Sequence, residues 1–263
     1  VHDVRRQKQI ISRKWEERQL RACYEYADAL FVHSDFQANE LIEFAGADPG
    51  KIHVVPHGPY PHGPVRTSRD EVRSRLGLPH GKQVALFFGQ IRDEKNLGRL
   101  IQAIGMSASR PHLLIAGPEG ARLHRSTDYY RQLAREAGVE GSVTFLTRFI
   151  ADEEVGDLFA ASDWVALPYR ESFTSQSGVL NVASHYERPV LVSSAPVLRE
   201  TVETCDIGVI AAGDTKVAIA EAIDRIGRGI DEGYPHQFGQ YRERFSWQEN
   251  ARRTVQVYRK LIG

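Results

Sequence analysis

Two short stretches carry residues whose types and order could hold a doubly charged anion. In Gly89-Gln90-Ile91-Arg92-Asp93-Glu94-Lys95-Asn96 an apolar run ends at Gly89 and a helical pattern begins near Glu94. Asp93 and Glu94 suit a helix N-terminus, whereas Arg92 and Lys95 oppose the helix dipole there. Two cations at that end make sense if an anion is held between them; a pair of solvated surface charges is the plainer alternative. In Tyr169-Arg170-Glu171-Ser172-Phe173-Thr174-Ser175-Gln176-Ser177-Gly178-Val179-Leu180 an apolar run enters a small-residue loop and an apolar helix leaves it. Ser177 and Gly178 would expose backbone N–H groups to phosphate oxygens, and Thr174 and Ser175 could add hydroxyl donors. Ser177 as an ordinary N-cap would also account for the second loop. A diphosphate between the two loops accounts for both at once.

Other chemistries leave little trace. The ten His residues are scattered and no Cys/His cluster has metal-ligand spacing. No G-x-G-x-x-G opens a helix after a strand, and no Walker lysine motif occurs, which removes the sequence case for dinucleotide or ATP use. Gly117-Pro118-Glu119-Gly120 follows a strand pattern and could line a cleft or form an ordinary turn.

The loops need a scaffold, and the chain from residue 84 onward supplies one. Short apolar runs at Val84–Phe88, His112–Ala116, Val143–Leu146, Trp164–Leu167, 189–193 and 207–210 are closed by Gly, Pro or polar clusters, as strands are. Amphipathic patterns near 95–107, 127–137, 152–161, 178–186 and 214–228 lie between them, with Val217, Ile219, Ala220, Ile223 and Ile226 mostly on one face of the last. Alternating strands and helices imply right-handed βαβ units and an α/β, doubly wound parallel sheet that binds ligands beyond its strand C-termini.

The first sixty residues cannot bury a sheet alone. They read as a helix at about 5–27, a strand at 29–33, a helix at 37–44 and a strand at 52–55, followed by a Pro/Gly-rich linker at 56–64. Residues 4–21 hold seven Lys or Arg against Glu16 and Glu17, interleaved with Ile10, Ile11 and Trp15. Such a helix could lie on an anionic membrane or grip a lipid-linked phosphate, or could be a solvated helix packed on further protein. Lys+Arg and Asp+Glu balance at 34 each, so no global field draws the chain to nucleic acid. Cys23 and Cys205 lie far apart in apolar patterns, which fits buried reduced thiols and a cytoplasmic, or membrane-peripheral, protein. No apolar run reaches the ~18 residues of a membrane span.

In series, FFGQIRDEKNLGRLIQAI, LLIAGPEG, VTFLTRFIADEEVGDLFAASDWVALPY, SGVLNVASHYERPVL and GVIAAGDTKVAIAEAI resemble the family-4 retaining glycosyltransferases. Phe245-Ser246-Trp247 is similar to the start of that family's final crossover helix, and Val1-His2-Asp3 to the end of the strand bearing its active-site histidine. The resemblance implies a two-Rossmann (GT-B) enzyme lacking most of its first domain: a remnant at 1–58, linker and entry at 59–83, a nucleotide-sugar-binding domain at 84–244 and a crossover helix at 245–263. It implies His2, Arg92 and Lys95 as catalytic residues, and Gly89, Glu171, Thr174, Ser175, Ser177, Gly178 and Val179 as donor-binding ones. It further implies transfer with retention from a UDP- or GDP-sugar to a glycan, lipid-linked or small-molecule acceptor, with no metal or other cofactor. The family's two glutamates are not both present: one alignment puts Thr174 and Val182 at their places, another Glu171 and Val179. A nucleotide-sugar-binding module without catalysis, or an epimerase or phosphorylase on the same fold, are the competing readings.

Overall fold

The computed structural model describes residues 1, 4, 12–60, 62–121 and 124–263. Apolar strands and amphipathic helices alternate, as the sequence pattern requires. A small first unit holds α1 (Arg13–Tyr26), β1 (Leu30–Val32), α2 (Asp35–Ala45) and β2 (Ile52–Val54). Then follow α3 (Arg69–Leu76), β3 (Val84–Phe88), α4 (Leu97–Met106), β4 (His112–Ala116), α5 (Thr127–Glu136), β5 (Val143–Leu146) and α6 (Asp152–Ala161). The remainder is β6 (Trp164–Leu167), α7 (Gly178–His185), β7 (Val190–Val192), α8 (Pro196–Cys205), β8 (Gly208–Ile210), α9 (Lys216–Asp231), α10 (Phe238–Arg244) and α11 (Trp247–Ile262).

The larger sheet is parallel, with strand order β5-β4-β3-β6-β7-β8. The alternation of side chains along each strand builds two cores. Val84, Leu86, Val165 and Val192 face α6, α7, α8 and α10. Ala85, Phe87, Trp164 and Leu191 face α4, α5 and α9. This is the doubly wound α/β fold that the sequence implies. Strand order reverses between β3 and β6, which pair only through Ala85–Trp164 and Leu86–Val165 and leave their C-terminal ends unpaired with each other. A crevice opens there, at the place where such folds bind ligands.

Three helices escape the sequence reading: α3, α8 and α10. α8 follows Ser193-Ser194-Ala195 and starts with Pro196, which reads as a turn but is compatible with the first helical position. Val217 is half exposed, not on the inward face of α9. Cys205 is buried as expected, but Cys23 is exposed.

β1 and β2 form a separate two-stranded parallel sheet. Leu30, Val32 and Leu41 are buried with Tyr24 and Phe44, whereas Ile42 faces outward. Residues 56–64 have no regular structure where described. The chain's last helix, α11, returns to the first unit: Asn250 Nδ2 donates to Pro56 O at 2.6 Å and Arg253 Nη1 to Val54 O at 3.3 Å. Tyr258 lies 5.9 Å from Phe31, centroid to centroid. On the other flank, the Glu200 carboxylate of α8 accepts from Asp35 N (2.9 Å) and Phe36 N (3.0 Å) and so caps α2. Far from the crevice, Asp163 fastens α3 beneath the sheet. It pairs with Arg73 (2.8 Å, 1% exposed) and Arg69 (2.5 Å), and accepts from Val84 N (2.7 Å).

Candidate functional site

Both anion-suited loops lie at the crevice, one after β3 and one after β6. Their residues converge. Gly89 adopts φ 83°, and a Cβ placed on it would stand 3.1 Å from Lys95 Nζ and 3.6 Å from Val179 Cγ2. The left-handed backbone there favours glycine, and the short distances show how closely Lys95 and Val179 approach the strand end. The neighbouring Gly117 carries the same demand: a Cβ there would sit 2.3 Å from Gly89 O.

Residues 93–95 form a single 3-10 turn, and the α-helix begins only at Leu97 after a left-handed Asn96. The expected helix start near Glu94 is therefore corrected. The consequence for Lys95 is large. Its chain folds back over the strand end and is only 5% exposed. Nζ donates to Phe88 O at 3.2 Å and lies 5.8 Å and 5.9 Å from the ring centroids of Phe87 and Tyr169. Among the described residues no carboxylate forms an ion pair with it. Burial, and then repulsion from Arg92, lower its pKa to about 7, with Glu94 opposing. The picture of two solvated surface cations fails for Lys95. Arg92 is different: it is partly exposed and its Nε lies 3.3 Å from Glu94 Oε1.

The second loop ends at α7. Ser177 is its N-cap, the hydroxyl accepting from Leu180 N at 3.4 Å, so its side chain serves the helix as the plainer reading held. Gly178 N and Val179 N have no partner among the described residues and remain open donors. The buried Tyr169 hydroxyl lies 3.4 Å from Ser177 Oγ, and burial pushes its pKa up to about 12. Thr174 and Ser175 are half-buried, and Thr174 O accepts from Gln37 Nε2 of the first unit at 3.3 Å. Glu171 is turned to another set of partners: its carboxylate accepts from Ser194 Oγ, and its N–H donates to Asp214 Oδ2 at 3.2 Å. His2 lies outside the described residues, as do residues 5–11 of the basic segment.

Several neighbours of the site went unread in the sequence. The linker 56–64 runs along α7. Asn181, buried on that helix, reaches His57 Nδ1 at 3.0 Å and donates to Gly58 O at 3.4 Å, while Tyr241 Oη donates to Asn181 Oδ1. His57 Nε2 lies 3.4 Å from Tyr60 Oη. Gly58 packs flat on the Trp247 ring, and Trp247 Nε1 donates to Pro59 O at 2.8 Å. The signal for Asn181 was present: an amide in the otherwise apolar stretch Val179-Leu180-Asn181-Val182-Ala183 needs a partner. Phe149, 75% exposed just beyond β5, is a further aromatic surface at the C-terminal ends of the strands.

A profile of the family described as "Glycosyl transferases group 1" matches residues 68–245. D-inositol 3-phosphate glycosyltransferase of Rhodococcus erythropolis is 31% identical over 244 residues, covering 89% of this chain and 54% of that protein. The protein of the same name in Mycobacterium tuberculosis is 30% identical over 247 residues, 90% of this chain and 49% of its own. The chain thus spans about half the length of these curated relatives. Among solved structures, sucrose-phosphate synthase of Thermosynechococcus elongatus matches with a TM-score of 0.75 at 22% identity, over 95% of this chain and 62% of that one. HepE of Anabaena in complex with UDP matches with a TM-score of 0.78 at 20% identity, over 99% and 70%. The likeness to these two structures is one of fold.

Proposed function

Because the chain belongs to the group 1 glycosyl transferases, whose members include sugar-transferring relatives of the same fold, we propose that its crevice binds the nucleoside diphosphate of a sugar donor. One observation carries this reading. An ammonium that has no carboxylate partner among the described residues is buried beside two N–H groups that have no hydrogen-bond partner there either, at the mouth of α7 and the sheet's switch point. A buried cation costs free energy unless an anion meets it. A diphosphate would meet Lys95 and the Gly178 and Val179 N–H groups, with Arg92 reaching it in exchange for Glu94.

The chemistry follows from the same groups. As the bond from sugar to phosphate breaks, negative charge grows on the leaving diphosphate. Lys95 and the α7 donors would stabilise that charge in place, each on the order of 3 kcal/mol as in comparable preorganised sites. This design asks for no metal. Thr174 and Ser175 would border the sugar, and Glu171 would reach it only by leaving Ser194. Transfer with retention, and His2 acting from the opposite side, are parts of the proposal that rest on family resemblance. UDP is the first nucleotide to try, since HepE is in complex with it; GDP is the second. The named acceptor of the curated relatives, an inositol phosphate, is the first acceptor to try, ahead of glycans and lipid-linked sugars. Among the described residues no helix is long and apolar enough to cross a membrane, and contact through the basic segment 4–21 would be peripheral.

Titration calorimetry tests the reading. UDP or GDP should bind, and Lys95→Met should weaken the diphosphate by roughly 10- to 100-fold, about 1.5–3 kcal/mol, while leaving the parent nucleoside unaffected. Equal losses for nucleoside and diphosphate would show that Lys95 acts on folding instead. A binding module without catalysis would show the same binding with no transfer to any acceptor. The absence of the family's second glutamate, with Val182 or Val179 in its place, is what favours that second reading.

A further inference from the structure

The linker presents a hydroxyl beside the same site, and its hydrogen bonds set which role that hydroxyl takes toward His57. The Cα–Cβ bond of a helical residue tilts toward the helix N-terminus. A Cβ on Gly178 would lie 3.2 Å from Tyr60 Cε2, so the Tyr60 ring stands at the mouth of α7. Behind it runs a chain of polar groups whose polarity is determined at one end. Gly58 O can only accept, so the Asn181 atom facing it at 3.4 Å is the amide nitrogen. The other amide atom is then the oxygen, and Tyr241 Oη must donate to it. The same amide nitrogen faces His57 Nδ1 at 3.0 Å, which places the lone pair on Nδ1 and the proton on Nε2. His57 Nε2–H therefore donates to Tyr60 Oη, 3.4 Å away. Because His57 supplies the proton of that bond, the Tyr60 hydroxyl proton is left available to another acceptor.

We propose that the Tyr60 hydroxyl is a further donor to the diphosphate held at α7, and that Asn181 and His57 are positioning residues that orient it. The proposal rests on the diphosphate reading of the crevice. It explains why Gly178 carries no side chain: a methyl group would meet the Tyr60 ring. It also gives the polar residues of this stretch a shared purpose, since Asn181 and Tyr241 are buried with their polar atoms committed to one another.

The test is a double-mutant cycle read by calorimetry with UDP, GDP and the two nucleosides. Tyr60→Phe keeps the ring and should weaken the diphosphate about tenfold, which is 1.4 kcal/mol, with nucleoside affinity unchanged. His57→Phe should cause a similar loss alone and almost none when added to Tyr60→Phe, because both remove the same bond. A purely structural role for His57 would give losses that add and that fall equally on the nucleoside, which would overturn the relay. Diphosphate binding weakened by Lys95→Met but untouched by Tyr60→Phe would overturn this proposal and leave the site itself standing. Failure of any nucleoside diphosphate to bind the unsubstituted chain would overturn both.

Discussion

Lys95 keeps its ammonium against Phe87, Tyr169 and a backbone carbonyl, and that setting imposes a pH dependence. With its pKa lowered to about 7, the side chain is charged below that pH and increasingly neutral above it. Affinity for a nucleotide sugar, whose diphosphate has no titration near neutrality, should fall as pH rises through about 7, and Lys95→Met should flatten the profile. Calorimetry across pH 6 to roughly 8.5 checks this. The sign for stability is the reverse. The unfolded chain holds this proton up to about 10.4, so the ligand-free protein should gain stability as pH climbs from about 7 toward that value. Arg92→Ala should weaken the diphosphate less than Lys95→Met, because the Arg92 charge is already partly offset by Glu94, 3.3 Å from its Nε, and is more exposed. The sequence showed Lys95 as an ill-placed cation but not as a buried one. Burial depended on a left-handed Asn96 that delays the helix, and one residue's backbone sign is invisible to a charge pattern. Ser177 was read as both cap and ligand, and its hydroxyl serves as the cap.

At the scale of elements, the strands of the large sheet were the most legible part. Val84–Phe88, His112–Ala116, Val143–Leu146 and Trp164–Leu167 match the observed spans to the residue. The three central ones are buried and read as near-continuous apolar runs, while Val143–Leu146, at the sheet edge, is only partly buried and is legible from its short apolar pattern. α3 was hidden for the opposite reason. Arg69-Asp70-Glu71-Val72-Arg73-Ser74-Arg75-Leu76 has almost no apolar stripe, and it is held by charge. Arg73 donates to Ala161 O (2.9 Å), Pro79 O (2.9 Å) and Lys82 O (3.1 Å) as well as to Asp163. Asp163→Ala would leave that guanidinium buried without its counter-charge, and should cost about 3–5 kcal/mol in chemical denaturation. Nucleoside diphosphate affinity at the opposite end of the sheet should be unchanged in the folded fraction.

Across the whole molecule, two sheets of very different size are joined by a stretch without regular structure and by the returning α11. The hydrophobic core of the first unit is small beside the two cores of the large sheet, so it should exchange its amides sooner than β3 through β7 do. Glu200→Ala removes the cap on α2 contributed by the larger part, and should lower protection in residues 30–54 by about 0.5–2 kcal/mol while leaving 84–192 unaffected in hydrogen exchange. Unchanged protection in 30–54 would mean that water caps α2 as well as Glu200 does.

The return of α11 has a mechanical consequence. Its hydrogen bonds at Val54, Pro56 and Pro59 fall on the same few residues through which the chain itself crosses, and Tyr258 adds a contact to Phe31 on the strand paired beside them, so covalent link and helix would act as one pivot rather than as two separate ties. A body fastened along one edge can swing about that edge but neither slide nor twist freely. The bonds from Glu200 to α2 and from Gln37 to Thr174 lie off the pivot, one beside α8 and the other on the anion-suited loop itself. Any such swing would therefore break or remake the bond from Gln37 to Thr174, which ties the angle of the first unit to the loop that borders the crevice.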